Sequence, residues 1–410
     1  MRIGLFTDTY SPQINGVATS ILMLERALRK LGHKVYIVTV NNDTLSYDFG
    51  SDNIIRIPGI PTGIYDYRLS GIYPLKAINK FKSWNLDIIH SHTEFGIGTF
   101  ARIMAKQLDV PIVHTYHTMY EDYVHYITKG HFNNASKKIV EYFTKFYCDK
   151  TVSELIVPTR KTYDLFKKKY KYDRNVHIIP TGIEVERFYK ENIDFKKVEE
   201  LKDRYNIKKD DFIILFVGRI AKEKNIEFLI ENHSFLVKKN KNFRLMIVGG
   251  GPDLDYLKNK AKKLGDRVIF TDKVPWDDVP NYYHLADVFT TASHTETQGL
   301  TVIEAMAASK VVVALDDESF NTVILDGLDG YLFNDRKKYR NSTLELIKDE
   351  DKLNKMSEQA FISSAKYSSK YYAERVLDVY KVALAGRNIN EKRGFFRKAY
   401  DVIKRGLHGK

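Results

Sequence analysis

The chain has a single cysteine, Cys148, so no disulfide can close within it and a reducing compartment is the expected setting. Nowhere do apolar residues run for the roughly 18 positions that a bilayer-spanning helix needs, and no segment is expected to cross a membrane. The opening Met1-Arg2-Ile3-Gly4-Leu5-Phe6 enters a strand-like run directly. It shows no basic stretch, apolar stretch and small-residue cleavage site, so the cytoplasmic side is the expected address. Gly249-Gly250-Gly251 lacks the further glycine of a dinucleotide fingerprint, and no Gly-Lys-Ser/Thr stands at phosphate-loop spacing. Nicotinamide and ATP chemistry are therefore disfavoured. His90 and His92 look like zinc ligands only superficially, because no further histidines or cysteines stand at structural spacing.

Positive charge is in excess: 65 Lys and Arg against 52 Asp and Glu give a net +13. It is unevenly placed. Lys161 to Arg174 interleaves Lys167, Lys168, Lys169 and Lys171 with Tyr163, Phe166, Tyr170 and Tyr172. Near the C-terminus, Lys392 to Arg405 carries Phe395, Phe396, Ala399, Ile403 and then Leu407 at roughly helical spacing. An apolar stripe beside cations suits a helix lying on an anionic lipid surface, where each cation contributes on the order of 1 kcal/mol. The same stripe would also serve to dock the helix on its own protein. No nucleic-acid module organises these cations, so nucleic acid is not an expected partner.

At 410 residues two domains are expected, and strand and helix patterns alternate through both halves. The first half reads as strands at Arg2–Thr7, Lys34–Val40, Ile54–Ile57, Leu86–His90 and Ile112–Thr115, with helices at Ala18–Leu31, Pro74–Trp84 and Gly96–Leu108. Further helices are expected near Lys137–Tyr147 and Lys161–Tyr170, with short buried runs at Leu155–Val157 and Val176–Ile179. The pattern restarts with Phe212–Gly218, helix Asn225–Lys238, strand Leu245–Val248, helix Leu254–Leu264, strand Val268–Phe270 and strand Asp287–Thr291. Such alternation predicts an α/β protein with two doubly wound, Rossmann-like parallel sheets whose strand C-termini face a central cleft. The expected division is 1–190, 191–385 and a basic amphipathic C-terminal helix over 386–410.

Chemistry-bearing residues gather after strands. In Thr295-Glu296-Thr297-Gln298-Gly299-Leu300 through Glu304, a glycine opens a helix and leaves its first N–H groups available to an anion. Two acids beside an anion site suggest a sugar nucleotide, with Glu304 accepting from ribose hydroxyls and Glu296 from hexose hydroxyls. A capped surface helix with solvated acids explains the segment equally well on its own. Gly218-Arg219 to Lys224 puts two cations beyond a strand end, where they can neutralise a diphosphate and the charge growing on a leaving pyrophosphate. Asn15-Gly16-Val17 opens the first helix, so the Gly16 amide is able to approach a phosphate. His114-Thr115-Tyr116-His117 through Tyr120, Glu121, Asp122 and Tyr123 follows another strand. There His117 can contact sugar or phosphate, and Tyr120, Glu121 or Asp122 can shape an acceptor pocket.

Taken together, these motifs resemble the retaining glycosyltransferases of family four, which have the two-domain GT-B fold. The resemblance runs from Met1 to about Tyr380. It rests on Phe6-Thr7-Asp8-Thr9-Tyr10-Ser11-Pro12 through Gly16-Val17, on Ile179-Pro180-Thr181-Gly182-Ile183 before Phe188, on Gly218-Arg219 to Lys224, and on Glu296 with Glu304. It implies that Arg219 and Lys224 hold the diphosphate, Glu304 the ribose, and Glu296 with the Gln298, Gly299 and Leu300 amides the transferred hexose. Gly16 would back the β-phosphate, His117 the sugar's far hydroxyl or phosphate, and the backbone near Val274 the base. Arg219, Lys224, Glu296 and His117 would be the catalytic set, and Tyr10, Tyr120 and Asp122 the acceptor side. C-terminal helices able to cross back to the N-terminal domain belong to the same picture.

Thr297-Gln298 between Glu296 and Gly299, and the Tyr120 to Tyr126 run, look like the diacylglycerol glucosyltransferases of low-GC bacteria. That subgroup implies transfer of glucose from UDP-glucose to the 3-hydroxyl of 1,2-diacylglycerol with retention, by front-face departure of UDP and attack of the acceptor hydroxyl. Hydrolytic retaining glycosidases instead use paired carboxylates about 5 Å apart. The implied partners are a nucleotide sugar, diacylglycerol and an anionic membrane surface on the cytoplasmic side, with no cofactor and no catalytic metal. A lipid acceptor makes the basic segments, and an amphipathic Pro74–Trp84 helix, expected membrane contacts. Another hexose donor, a soluble or wall-linked acceptor, sugar-nucleotide epimerisation, or a non-catalytic membrane-binding protein on this scaffold are the competing readings.

Overall fold

The computed structural model describes residues 1–13, 15–41, 44–61, 68–71, 74–94, 96–117, 152–294, 296 and 298–386. The helix expected near Lys137–Tyr147 and the basic stripe from Lys392 lie outside the described residues, as do Tyr120 and Asp122. The chain divides into two compact units. One comprises Met1–Gly182 with the chain from Lys370 onward, and the other Ile183–Ser369.

Among the described residues, the first unit holds strands β1 (Arg2–Phe6), β2 (Lys34–Asn41), β3 (Ile54–Pro61), β4 (Arg68–Ser70), β5 (Ile88–Ser91), β6 (Ile112–Thr115), β7 (Glu154–Val157) and β8 (Val176–Ile178). Their order is β4-β3-β2-β1-β5-β6-β7-β8. All pair in parallel except β4, a three-residue strand running antiparallel to β3, short as edge strands tend to be. The second unit holds β9 (Phe212–Val217), β10 (Phe243–Val248), β11 (Val268–Phe270), β12 (Val288–Thr291), β13 (Val311–Leu315) and β14 (Gly330–Phe333). These are parallel throughout in the order β11-β10-β9-β12-β13-β14. In each sheet the strand order reverses once, between β1 and β5 and between β9 and β12, and in open α/β sheets ligands bind beyond the strand C-termini at such switch points.

Local sequence explains the elements. The Gly16–Lys30 helix starts where the Asn15 side chain accepts from the Ala18 amide at 2.9 Å and stops before Gly32, whose φ is 84°. Its Ile21, Leu24 and Leu28 pack onto Ile3, Leu5 and Val35 in one core. Strands buried on both faces, such as Phe212-Ile213-Ile214-Leu215-Phe216, read as continuous apolar runs.

The structure corrects three expectations. The second domain ends at Ser369 rather than near 385, because helix 369–386 presents Tyr372, Val376, Tyr380 and Ala383 at helical spacing to the core of β1 and β5. The first boundary also falls earlier than 190, after Gly182: Val185 and Phe188 sit in the second unit's core, and Ile183 bridges to Ser368. Among its described side chains, the Pro74–Trp84 segment does not offer an apolar face to a membrane. Its helix is Ile78–Ser83, and Phe81 and Trp84 are buried against the β1 and Gly96–Leu108 side chains Phe6 and Phe100. In Lys161 to Arg174 the aromatics turn inward, with Phe166, Tyr170 and Tyr172 buried beside Tyr116, while Lys168 pairs with Asp164 at 2.8 Å on the surface. No helix among the described residues is long and apolar enough to cross a membrane.

Candidate active site

In the second unit, the turns after β9 and β10 lie against each other. The Ile220 amide donates to the Gly250 carbonyl at 3.0 Å, and a Cβ at Gly249 or Gly251 would strike the backbone of Gly218 or Ile220. The glycine triple is thus a packing device. From this platform the chain runs through exposed Arg219 into the short Lys222–Lys224 turn, and the Lys224 ammonium pairs with the Glu296 carboxylate beyond β12. Both side chains are about one-fifth exposed, at 21% and 23%. Ser319, a residue the sequence did not single out, donates to the Glu296 carbonyl and ties the loop down.

Gly299 follows with φ 71°, and a side chain there would collide with the Phe320 ring, so only glycine fits. The Leu300–Ala307 helix it opens has no side-chain cap, which leaves backbone N–H groups beside the Lys224–Glu296 pair. Gln298 is buried and Leu300 partly so. One turn on, Glu304 does not join that pair. The Tyr283 hydroxyl donates to it at 2.8 Å, and burial pushes its carboxyl up to about 7 although Tyr283 opposes the shift. Arg187, also unforeseen, stacks 3.2 Å from the Trp276 ring centroid and pairs with Asp277 at 3.1 Å; its charge further offsets the rise at Glu304. Val274 packs partly buried against the same core.

The first unit's strand ends have a different chemistry. After β1, Tyr10 is 4% exposed and its hydroxyl donates to Glu25, so the phenol expected to meet the acceptor is a core group. Gly16 is open, with nothing within 4 Å of an added Cβ. Asp8 accepts from the Ile97 amide at 3.0 Å, and burial pushes its carboxyl up to about 6. Beyond β5 and β6, His90 bonds Tyr380 and Thr115, each at 2.7 Å. His114 bonds Ser91 at 2.7 Å and Glu94 at 3.1 Å. His117 lies 2.9 Å from His92 through Nε2 and Nδ1, and desolvation lowers it to about 4. His90 and His92, set aside as zinc-like, are instead members of this buried hydrogen-bonded group.

Two family descriptions match this chain: Glycosyl transferases group 1 over residues 197–362 and Glycosyltransferase Family 4 over residues 14–187. The alpha-monoglucosyldiacylglycerol synthase of Acholeplasma laidlawii is 37% identical over 93% of this chain and 96% of its own length. The chain belongs to the group 1, family 4 glycosyltransferases. The enzyme of the same name from Streptococcus pneumoniae is 36% identical over 95% of this chain and 88% of its own. Among solved structures, HepE of Anabaena in complex with UDP superposes with a TM-score of 0.72 at 16% identity, over 93% of this chain and 100% of that one. Sucrose-phosphate synthase of Thermosynechococcus elongatus does so with 0.72 at 18%, over 94% and 99%. At these identities the structures speak for the GT-B fold alone. The glycosyltransferase's candidate residues thus fall on both units, with Gly16, Tyr10 and His117 on one and Arg219, Lys224, Val274, Glu296, Gln298, Gly299, Leu300 and Glu304 on the other.

Proposed function

We propose that this glycosyltransferase moves glucose from UDP-glucose to the 3-hydroxyl of 1,2-diacylglycerol with retention, giving an α-monoglucosyl diacylglycerol at the inner face of the cell membrane. The observation that carries the reading is the Lys224–Glu296 pair set between two switch-point strands and beside an uncapped helix N-terminus. A cation, free N–H groups and a carboxylate within one loop cluster suit a ligand that is anionic at one end and hydroxylated at the other. The relatives' name, alpha-monoglucosyldiacylglycerol synthase, supports diacylglycerol and glucose as the acceptor and sugar.

In this reading a diphosphate docks against Arg219 and Lys224, Lys224 exchanges its carboxylate partner for phosphate oxygens, and the released Glu296 accepts from the hexose hydroxyls. Glu304 accepts from the ribose. The C1–O bond to the diphosphate breaks with its electron pair leaving on UDP, where the fixed cations offset the growing charge. The acceptor oxygen bonds C1 from the same face, and the departing phosphate oxygen takes its proton. No side-chain base is required.

The test offers UDP-glucose, UDP-galactose and GDP-mannose with diacylglycerol vesicles and identifies the lipid product by mass and anomeric proton coupling. An α-glucosyl lipid from UDP-glucose supports the reading; transfer only to a water-soluble acceptor, or epimerised nucleotide without acceptor, replaces it. Flotation is expected to show binding that rises with anionic lipid and falls with salt. Equal binding to neutral and anionic vesicles would remove the charge-driven surface contact.

A further inference from the structure

Beyond β5 stands a buried histidine to which the sequence gives no role. His92 is 2% exposed, its Nδ1 lies 2.9 Å from Nε2 of His117, and the two ring planes are inclined by 25° with centroids 5.2 Å apart, the edge-to-edge arrangement that an N–H···N bond requires. Its other nitrogen, Nε2, is buried with no hydrogen-bond partner among the described residues. Desolvation lowers both rings, His117 to about 4 and His92 well below the usual range, so both are neutral at neutral pH.

Two neutral imidazoles joined by one N–H···N bond share a single hydrogen and have two arrangements. If His117 Nε2 carried it, His92 would hold its own hydrogen on Nε2, where no described group accepts it. If His92 Nδ1 carries it, Nε2 is only a bare lone pair. An orphaned buried N–H is the rarer defect in native proteins, so the second arrangement is favoured. His117 Nε2 then accepts, and the hydrogen of His117 sits on Nδ1. The neighbouring groups do not compete for this bond: His90 is engaged by Thr115 and Tyr380, and His114 by Ser91 and Glu94.

We propose that His92 is a positioning residue that fixes His117 as its Nδ1–H tautomer, a neutral hydrogen-bond donor for an oxygen of the bound sugar or phosphate. It rests on the reading of His117 as a contact to the nucleotide sugar. It also takes from His117 the lone pair a general base would need, and leaves the leaving phosphate as the proton acceptor.

Two arms test it. In protein labelled with 15N-histidine, two-bond nitrogen–proton correlations report the tautomer without any turnover. His117 is expected to show a protonated Nδ1 and a bare Nε2, to shift toward the Nε2–H form in His92→Leu, and to stay put in His92→Asn, whose amide keeps a donor near the Nδ1 position. A protonated Nε2 on His117 in the unaltered protein overturns the proposal, and that spectrum decides even if a variant fails to fold. In the second arm, His92→Leu raises KM for the nucleotide sugar with kcat/KM down about tenfold, acceptor KM unchanged, and His92→Asn recovering most of the loss. Equal losses in both variants at an unchanged melting temperature overturn it. A different donor or acceptor sinks the proposed function but leaves the spectroscopic arm standing.

Discussion

The two units place opposite chemistries at equivalent points of equivalent sheets. Beyond β9 and β12 stand charges left partly in water, Arg219, Lys224 and Glu296. Beyond β5 and β6 stand imidazoles held neutral by desolvation, with His90, His92 and His114 buried and His117 partly so. A fixed charge is most useful where it can be desolvated by a charged ligand, and costly where nothing pairs with it. Neutral imidazoles avoid that cost and offer directional hydrogen bonds instead. A doubly wound sheet supplies a position, and the residues after each strand decide whether that position handles charge or hydroxyls.

The contrast breaks most visibly at Glu296. Glu296→Ala is expected to lower turnover by about a hundredfold or more while UDP affinity, read by calorimetry, holds or improves because Lys224 loses its internal partner. A parallel loss of both would merge sugar and diphosphate recognition into one function. Both side chains are partly exposed, so the melting temperature is expected to stay put.

Glu304 sharpens the comparison, being an acid of the second unit that burial pushes toward neutrality. Its carboxyl is raised to about 7 by burial, and in the proposed reading it would have to ionise to accept from both ribose hydroxyls. UDP affinity is then expected to rise about tenfold between pH 6 and 8, because binding to the ionised form releases a proton. Glu304→Gln should flatten that slope. An unchanged slope in the variant would place the titration elsewhere. The same raised carboxyl subtracts from stability as pH rises from the ordinary carboxylate value toward 7, since the unfolded chain loses its proton first.

The smallest effect belongs to the histidine side. Tyr380→Phe keeps the ring that packs on Leu5 and Ile88 but strips the hydroxyl from His90, which should cost about 1 kcal/mol in urea unfolding. It also tests whether helix 369–386 supports the first unit. No change in stability would mean that the His90 bond contributes nothing net.

How much was legible follows from where each signal lives. Glu296, Gly299, Arg219 and Lys224 are readable because strand, loop and helix start are contiguous in sequence, and their pattern survives without tertiary information. His92 against His117 is not, since the two meet only through the parallel register of β5 on β6, with Ser91 opposite His114. Paired histidines closing two successive strands were the available signal. Ser319 and Arg187 reach the site from segments far along the chain, and no local pattern marks them. That C-terminal helices cross back to the first domain was part of the expected picture, but where the crossing begins is set by packing, so the boundary at Ser369 was missed. Tyr10 shows the reverse failure: a motif position whose hydroxyl Glu25 already occupies.

The division of labour between charged and neutral strand ends is tested most directly by calorimetric titration of UDP into the unaltered protein, Lys224→Ala and His117→Ala across a range of salt. UDP affinity is expected to fall steeply in Lys224→Ala and to weaken with salt in the unaltered protein. In His117→Ala it should stay within a few-fold, because one neutral hydrogen bond contributes little net. UDP binding to Lys224→Ala as tightly as to the unaltered protein, with affinity lost instead in His117→Ala, would contradict the account.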